Sequence, residues 1–447
     1  MTIRMDDYSS EEAKNILADL LYEFGVDISA PSDTRSKCRP PLKIVKERAE
    51  PEDEGIESRI STGEGKEEIC EDHHRTEQTA DRKRPMGNMH IVEKASVQVS
   101  IEDLLKYHKH NRVIGEEKNS ILQTLCAINN LSFGIEGNSG SGKTYLMEAL
   151  TGLIPEEQVY TLGLASEQAA FHDSKNINKC RFIYIPEIQK VMERQKNKAT
   201  SIIEMVKDLT EGKASSRIVT KHPGEVEKYK IQEGKTIIYT LALENSFKKD
   251  PETSRRFIRL MTDVSDEHVE EVMNYKAKER CTLNKGDCLN EEQIYSIKKH
   301  IKDCLNMPEI RFFDPFSVAL NEYMPALPKS IGFVDHYYGL LDSSAKFHHK
   351  NRIFTDDVMV LDFEDHYLVK TLYFEEFCDT LEELSGQSVE RPEFDWKGFW
   401  QQGVSKMKEQ LPSVADRWIG KQVKGEEIKV YDVPSASYKH IEVRNDF

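Results

Sequence analysis

The residues best suited to chemistry are eight consecutive ones: Gly137, Asn138, Ser139, Gly140, Ser141, Gly142, Lys143 and Thr144. They fit the pattern G-x-x-x-x-G-K-[ST] of a phosphate-binding loop. The glycines let backbone N–H groups turn toward phosphate oxygens, and Lys143 supplies a positive charge to the β- and γ-phosphates of a nucleotide. The Thr144 hydroxyl is the expected ligand of Mg²⁺. The sequence therefore predicts ATP and Mg²⁺ as cofactors.

Such a loop needs a strand before it and a helix after it. The apolar run from Leu131 to Glu136 predicts the strand, and the residues from Lys143 to Leu153 predict the helix. Two further helices are expected upstream, at Ile101–Tyr107 and Glu116–Ala127. The alternation of helices and strands predicts an α/β fold.

A carboxylate that activates water is expected at the end of a second strand. Phe182 to Ile185 are four bulky β-forming residues, and Glu187 follows them. We expect Glu187 to act as general base for attack on the γ-phosphate. The preceding position, commonly an Asp that helps to hold Mg²⁺, is Pro186 here, which predicts weaker metal binding and slower turnover. The alternative is a surface glutamate at a strand end.

A polar residue at the tip of a third strand is expected to orient the attacking water. The strand runs from Thr236 to Leu243, and its two candidates are Thr240 and Asn245. Asn245 is the better placed because it follows the end of the strand. Either residue would otherwise serve only to cap the strand.

Two pairs of residues carry charge that could reach beyond the chain. Arg255 and Arg256 precede an apolar strand and predict an arginine finger for a neighbouring subunit's nucleotide, or else surface ion pairs. Lys221 and His222 stand at the tip of a predicted β-hairpin around Pro223-Gly224 and predict contact with a nucleic-acid backbone. A solvated hairpin is the alternative.

The composition limits the possible classes of protein. The chain has 447 residues and a formal net charge of -16, so any DNA contact must be local. None of its 8 cysteines forms a C-x-x-C pair, which indicates reduced thiols in a cytoplasmic protein. The run from Cys70 to His74 has ligand-type residues but lacks a second half at zinc spacing. No apolar run is long enough to span a membrane.

Three other segments have open interpretations. An amphipathic helix between Ser9 and Gly25 either binds a protein partner or packs on the main body. The basic cluster around His348, Lys350 and Arg352 either faces DNA or caps a core. The aromatic run from Phe394 to Trp400 docks either on this chain or on a partner.

The order of the motifs, from the phosphate loop through Glu187 and the hairpin to the arginine pair, resembles the AAA+-like ATPase modules of archaeal and mobile-element primase–helicase proteins. The resemblance covers about Glu93 to Tyr373, with Pro186 as its departure. It implies a three-layer P-loop NTPase with a helical, winged-helix-like C-terminal domain, assembled as a homo-oligomer. Before this region the chain is polar, charged and broken by Pro and Gly, which predicts a disordered N-terminal arm. The predicted domains are a short amphipathic helix (1–28), a disordered charged linker (29–92), an AAA+-like ATPase domain (93–280), a helical or winged-helix-like domain (281–385) and a C-terminal extension (386–447).

The implied function is ATP hydrolysis by a helicase-like motor that acts on DNA, most naturally single-stranded, during replication. No primase catalytic domain is recognisable, so the expected activity excludes primer synthesis. The alternative is a slow nucleotide-dependent switch or loader that acts on a protein partner. Pro186 favours the switch, and the hairpin with Lys221 and His222 favours the motor.

Overall fold

A computed structural model gives the fold, and the residues it describes are 99–163, 167–190, 201–222, 225–242, 251–281, 289–424, 427–432 and 437–442. Several predictions concern residues outside these ranges, among them the ligand-type run from Cys70 to His74 within the linker. The others include the N-terminal helix within 1–28, the linker 29–92 and the role of Asn245.

A parallel sheet and a β-hairpin make up the strands of the first half of the described chain. The strands are β1 (Phe133–Gly137), β2 (Val159–Thr161), β3 (Phe182–Ile185), β4 (Ser215–His222), β5 (Glu225–Ile231), β6 (Thr236–Ala242) and β7 (Ile258–Met261). The order across the sheet is β2-β3-β6-β1-β7, and neighbouring strands are parallel throughout. Strands β4 and β5 pair antiparallel, as the turn residues between them predict.

Eight helices belong to this half of the described chain, and those in the buried clusters lie on both faces of the sheet. The eight are α1 (Ile101–His110), α2 (Glu117–Ile128), α3 (Lys143–Leu153), α4 (Glu167–His172), α5 (Ser174–Lys179), α6 (Ser201–Thr210), α7 (Pro251–Ser254) and α8 (Asp266–Cys281). On β6, Tyr239 packs in a buried cluster with residues of α4 to α6, whereas its neighbour Ile238 packs with residues of α1 to α3. Because successive strand residues point to opposite faces, the fold is a three-layer α/β fold of P-loop type.

The start of α1 shows how local sequence sets an element's boundary. Ser100 Oγ accepts a hydrogen bond from the Asp103 N–H, and the Asp103 carboxylate accepts one from the Ser100 N–H at 2.9 Å. This reciprocal capping satisfies two backbone donors that the first turn leaves unpaired. The predicted helices at 101–107 and 116–127 are therefore present, with ends shifted by a few residues.

The second half of the described chain is mainly helical. Its elements are α9 (Glu291–Leu305), β8 (Arg311–Phe313), α10 (Ser317–Asn321), α11 (Ser330–Phe347), β9 (Ile353–Thr355), β10 (Val358–Val360), α12 (Phe363–Ser385), α13 (Trp396–Gln410), α14 (Pro412–Gln422), β11 (Val423–Lys424), β12 (Glu427–Asp432) and β13 (Ser437–Glu442). The strands form two small sheets, β8-β10-β9 and β11-β12-β13. Helix α12 has 23 residues, and its Asp362 cap and Asp365 side chain satisfy the first backbone donors.

The aromatic run near the C-terminus packs on this chain. Trp400 and Trp418 are fully buried and stack with ring centroids 5.4 Å apart. Phe316 stacks on Phe399 at 5.0 Å, and a Cβ at Gly403 would lie 2.1 Å from the Phe316 ring. These rings belong to the same buried cluster as the α1–α3 side of the sheet. Of the two open interpretations, docking on the chain itself is therefore correct.

No helix in the described ranges has both the length and the apolar character that a membrane crossing requires.

Candidate nucleotide-binding site

The phosphate loop lies at the carboxyl edge of the central sheet. Gly137 is the last residue of β1, and α3 begins at Lys143, so residues 138–142 connect strand to helix. Strands β6 and β7 flank β1 on its two sides. The carboxyl edge of a parallel sheet is where ligands of such folds bind, and the helix start provides unpaired N–H groups there.

The conformation of the loop requires glycine at three positions of the pattern, for two geometric reasons. A Cβ at Gly137 would lie 1.7 Å from Thr262 Oγ1, so a side chain does not fit. Gly140 and Gly142 have φ angles of +84° and +86°, in the left-handed region that other residues rarely adopt. The loop therefore has a tight curvature of the kind found in phosphate-binding loops.

Thr262 supports the loop from the neighbouring strand. It directly follows β7, and its Oγ1 lies 2.7 Å from Ser141 Oγ and 3.2 Å from the Glu136 carbonyl oxygen. Its backbone N–H donates to the same carbonyl at 2.8 Å. Sequence reasoning missed Thr262, because a threonine after a strand has no distinguishing pattern and only the pairing of β1 with β7 brings it to the loop.

Lys143 folds over the loop that precedes it. Its Nζ donates to the carbonyl oxygens of Gly137 at 2.7 Å and Asn138 at 2.6 Å. Partial burial lowers the pKa of Lys143, and the nearby carboxylate of Glu187 opposes this effect. The ammonium group is thus placed at the mouth of the loop with Glu187 within electrostatic range. The side chain of Thr144, the proposed Mg²⁺ ligand, is exposed at the start of α3.

Glu187 occupies a strained turn after β3. Its φ is +49°, unusual for a residue with a side chain, and its N–H donates to Thr240 Oγ1 at 3.0 Å. The carboxylate is exposed and pairs with Lys190. Of the two residues proposed to orient water, Thr240 thus bonds to the backbone of the proposed base, and Asn245 lies outside the described residues.

The two arginines differ in environment. Arg256 is largely buried: its guanidinium lies 2.5 Å from a Glu211 oxygen and 3.1 Å from a Glu252 oxygen, and donates to the Lys207 carbonyl at 3.3 Å. Arg255 is exposed. Arg256 therefore makes the ion pairs that were the alternative interpretation, whereas Arg255 presents its side chain to solvent.

A buried ionic network lies beneath the loop. Glu136, the residue before Gly137, has no exposed surface and accepts hydrogen bonds from Tyr239 Oη at 2.7 Å and from Arg259 at 2.9 and 3.1 Å. Arg259 also donates to Glu383 of α12 at 2.5 Å. Burial alone would lower the pKa of Arg259, but these carboxylates raise it above its usual range. No sequence pattern marked these residues.

Two residues of the basic cluster near His348 point into the protein. His348 and Arg352 are buried, and Arg352 lies 2.8 Å from an Asp362 oxygen and 2.6 Å from an Asp365 oxygen. The core-capping interpretation is therefore correct for His348 and Arg352, whereas Lys350 is exposed and its contact with DNA stays a prediction. Lys221 and His222 are the last two positions of β4, and their contact with nucleic acid stays a prediction.

No protein-family model and no curated protein matches this chain. Among solved structures, a presumed ATPase from Cytophaga hutchinsonii is similar over 65% of this chain and 98% of its own, with 11% identity and a TM-score of 0.30. A likeness this low carries no functional weight. The assignment of the chain to the P-loop type rests on its own strand order and on the loop between β1 and α3.

Proposed function

We propose that this chain binds Mg²⁺-ATP on the loop 137–144 and hydrolyses it. The observation that carries the proposal is the geometry of the loop: left-handed glycines, Lys143 across its mouth and a helix start behind it, at the carboxyl edge of a parallel sheet. In the bound complex the Lys143 ammonium exchanges its two loop carbonyls for β- and γ-phosphate oxygens.

Hydrolysis proceeds by in-line attack of water on the γ-phosphate, with Glu187 as the base. Strand β6 lies between β1 and β3, so Thr240 stands between the loop strand and the turn that holds Glu187. Pro186 leaves Thr144, the phosphates and water as the proposed ligands of Mg²⁺. We therefore expect slow turnover.

Two substitutions test this proposal. Lys143→Ala should abolish ATP binding, and Glu187→Gln should keep binding but lose turnover, measured by fluorescent-nucleotide titration and phosphate release. Glu270→Gln, which changes an exposed carboxylate on α8, serves as the control. Unchanged binding in Lys143→Ala would reject the nucleotide site, and unchanged turnover in Glu187→Gln would reject the base.

The partner we propose is single-stranded DNA, bound by the hairpin of β4 and β5 in an AAA+-like helicase motor of DNA replication. One face of the hairpin is exposed and carries Ser216 and Ile218 opposite Lys230 and Lys228. The side chain of Asn178 on α5 anchors the base of the hairpin. Its Nδ2 donates to the Lys230 carbonyl oxygen and its Oδ1 accepts from the Gln232 N–H, both at 2.9 Å. Cations beside an exposed apolar side chain suit a phosphate backbone and its bases.

The motor is proposed to work as a homo-oligomer in which Arg255 reaches the nucleotide of the neighbouring subunit. Exposure of Arg255 beside the ion-paired Arg256 favours this choice of finger. The small sheet β8-β10-β9, packed among helices, favours a winged-helix-like assignment for the second half of the chain. A finger acting between subunits predicts that ATPase activity per chain rises with protein concentration, and that Arg255→Ala removes this rise.

The second candidate function is a slow nucleotide-dependent switch or loader, favoured by Pro186. The steady-state ATPase rate with and without single-stranded DNA separates the two. Stimulation that is lost in Lys221→Ala/His222→Ala and reduced in Lys228→Ala/Lys230→Ala, but kept in the α9 control Lys298→Ala/Lys299→Ala, supports the motor. A slow rate indifferent to DNA supports the switch, and the N-terminal helix would then be the segment in which to look for the protein partner.

A further inference from the structure

Three side chains able to bind a metal converge away from the nucleotide site. They are His300 and Cys304, one turn apart on α9, and His349, which follows the end of α11. Their ligating atoms all lie within 4.8 Å of one another. Among the described residues, these three form a cluster of His and Cys side chains close enough to bind one metal ion. His300 and Cys304 are buried, and His349 is partly exposed.

The distances suit a tetrahedral ion. Cys304 Sγ lies 3.8 Å from His300 Nε2 and 3.7 Å from His349 Nδ1. Zinc bonds of about 2.3 Å to sulfur and about 2.0–2.1 Å to nitrogen, at tetrahedral angles, separate such atoms by about 3.5 Å. The two distances from Cys304 Sγ are therefore within a few tenths of an ångström of those around one ion, and the nearly parallel rings of His300 and His349 must turn for both lone pairs to face it.

The protein contacts of the cluster are compatible with metal binding. Cys304 Sγ lies 3.5 Å and His349 Nδ1 lies 2.9 Å from the Lys346 carbonyl oxygen. Binding of a metal ion would replace these two hydrogen bonds by bonds to the metal. Burial lowers the pKa of His300 to about 3, which leaves its ring neutral with a lone pair available. Burial raises the pKa of the Cys304 thiol to about 12, so a metal must displace this proton.

We propose that His300, Cys304 and His349 form a binding site for a borderline-soft divalent transition metal, with Zn²⁺ as the natural occupant and water as the fourth ligand. One thiolate and two imidazoles are the donors that zinc prefers over Mg²⁺ or Ca²⁺. The ion ties α9 to the segment after α11. None of the three ligands belongs to the phosphate loop, and the proposal does not depend on ATP hydrolysis.

The test uses the full chain, stripped of metal with a chelator and dialysed. Zn²⁺ affinity is measured by competition with a chromophoric chelator, and Co²⁺ is added separately to record the absorption spectrum. The expected results are one ion per chain, a rise in melting temperature on Zn²⁺ addition, and a thiolate-to-Co²⁺ charge-transfer band with tetrahedral d–d bands. Cys304→Ser should remove the band and weaken affinity by more than the roughly 10–100-fold typical of losing an outer-shell partner.

Control variants separate this site from other thiols and from misfolding. Cys378→Ser replaces a buried thiol of α12 outside the cluster and should bind as the native chain does. Cys70→Ser/His73→Gln removes the other ligand-type run and should also bind normally. His300→Gln and His349→Gln should each weaken binding, while metal-free circular dichroism reports whether they fold. Failure of the native chain to bind one ion, or Zn²⁺ affinity unchanged in Cys304→Ser, would overturn the proposal.

Discussion

The backbone N–H of Glu187 donates a hydrogen bond to the side-chain oxygen of Thr240 at 3.0 Å, so a residue of β6 holds the turn that carries the proposed base. Thr240 is almost fully buried, and the turn has a φ of +49° at Glu187. A strained backbone persists only where its surroundings fix it, and such positions are common in active sites. This bond is therefore a direct target for mutation.

Thr240→Val should lower the ATPase rate while ATP binding persists, because the Glu187 N–H loses its acceptor and the base is no longer held. The free energy of unfolding should fall by about 0.5–1.5 kcal/mol, the typical net contribution of one hydrogen bond, because this bond is only partly buried. Thr240→Ser keeps the hydroxyl and should retain most activity. Equal rates in the valine and serine variants would show that the bond does not position Glu187.

Glu187→Gly should be more stable than Glu187→Ala by about 1 kcal/mol, because alanine pays the left-handed penalty and glycine does not. Urea denaturation of the two variants measures the difference. Both should lack ATPase activity, since both remove the carboxylate. If alanine is as stable as glycine, the positive φ at this position is not a feature of the folded chain.

Gly137→Ala should abolish nucleotide binding and destabilise the chain, because the new methyl group overlaps Thr262 Oγ1 at 1.7 Å. Gly332→Ala is a matched control in the first turns of α11, where a Cβ meets no atom within 4 Å, and it should preserve or slightly raise stability. Nucleotide titration and thermal melting give both readouts. Normal binding in Gly137→Ala would contradict the close contact between the loop and Thr262.

Arg259→Met should cost about 3–5 kcal/mol of unfolding free energy, because it leaves the fully buried Glu136 carboxylate without its cation. Arg391 also contacts three carboxylates, those of Glu375, Asp379 and Glu382, but at the surface. Arg391→Met should therefore cost only about 1 kcal/mol or less. Chemical denaturation measures the unfolding free energy of both variants. Similar decreases for the two would contradict the claim that burial makes the Glu136–Arg259 pair the more costly to break.

Asp342 makes stability depend on pH. Burial raises its pKa to about 7, above the value in the unfolded chain, and Lys346 only partly opposes this shift. The folded state thus favours the protonated acid, so the contribution of Asp342 to stability is greatest below about pH 4 and declines as pH rises toward 7 with a limiting slope of about 1.4 kcal/mol per pH unit. Asp342→Asn should be more stable than the native chain at pH 8 and lose this advantage near pH 4. A pH-independent difference between the two would contradict the raised pKa.

The sequence predicted the parts of the site whose evidence is contiguous. The loop 137–144 is one motif, and the strands at 182–185 and 236–242 are apolar runs with turn residues around them. Thr262, Glu136 and Tyr239 were missed because their roles arise only from the pairing of β1 with β6 and β7. A threonine or glutamate within such runs has no local pattern that separates it from a packing residue.

The same limit applies to the C-terminal half. His300 and Cys304 are visible as a pair on one helix face, but their third partner lies 45 residues after Cys304 and is set by the packing of α9 on α11. The alternatives for His348 and for the aromatic run near Trp400 were decided by burial, which depends on the whole fold. Sequence reasoning can state such alternatives, and only tertiary structure chooses between them.

Arg259 has a mechanical consequence. Its guanidinium joins Glu136, which adjoins the first loop residue, to Glu383, which lies near the end of the 23-residue helix α12. The guanidinium thereby couples the residue before the phosphate loop to one end of a helix about 35 Å long, at 1.5 Å per helical residue. If the proposed hydrolysis displaces the loop, α12 is the element that this connection would move with it.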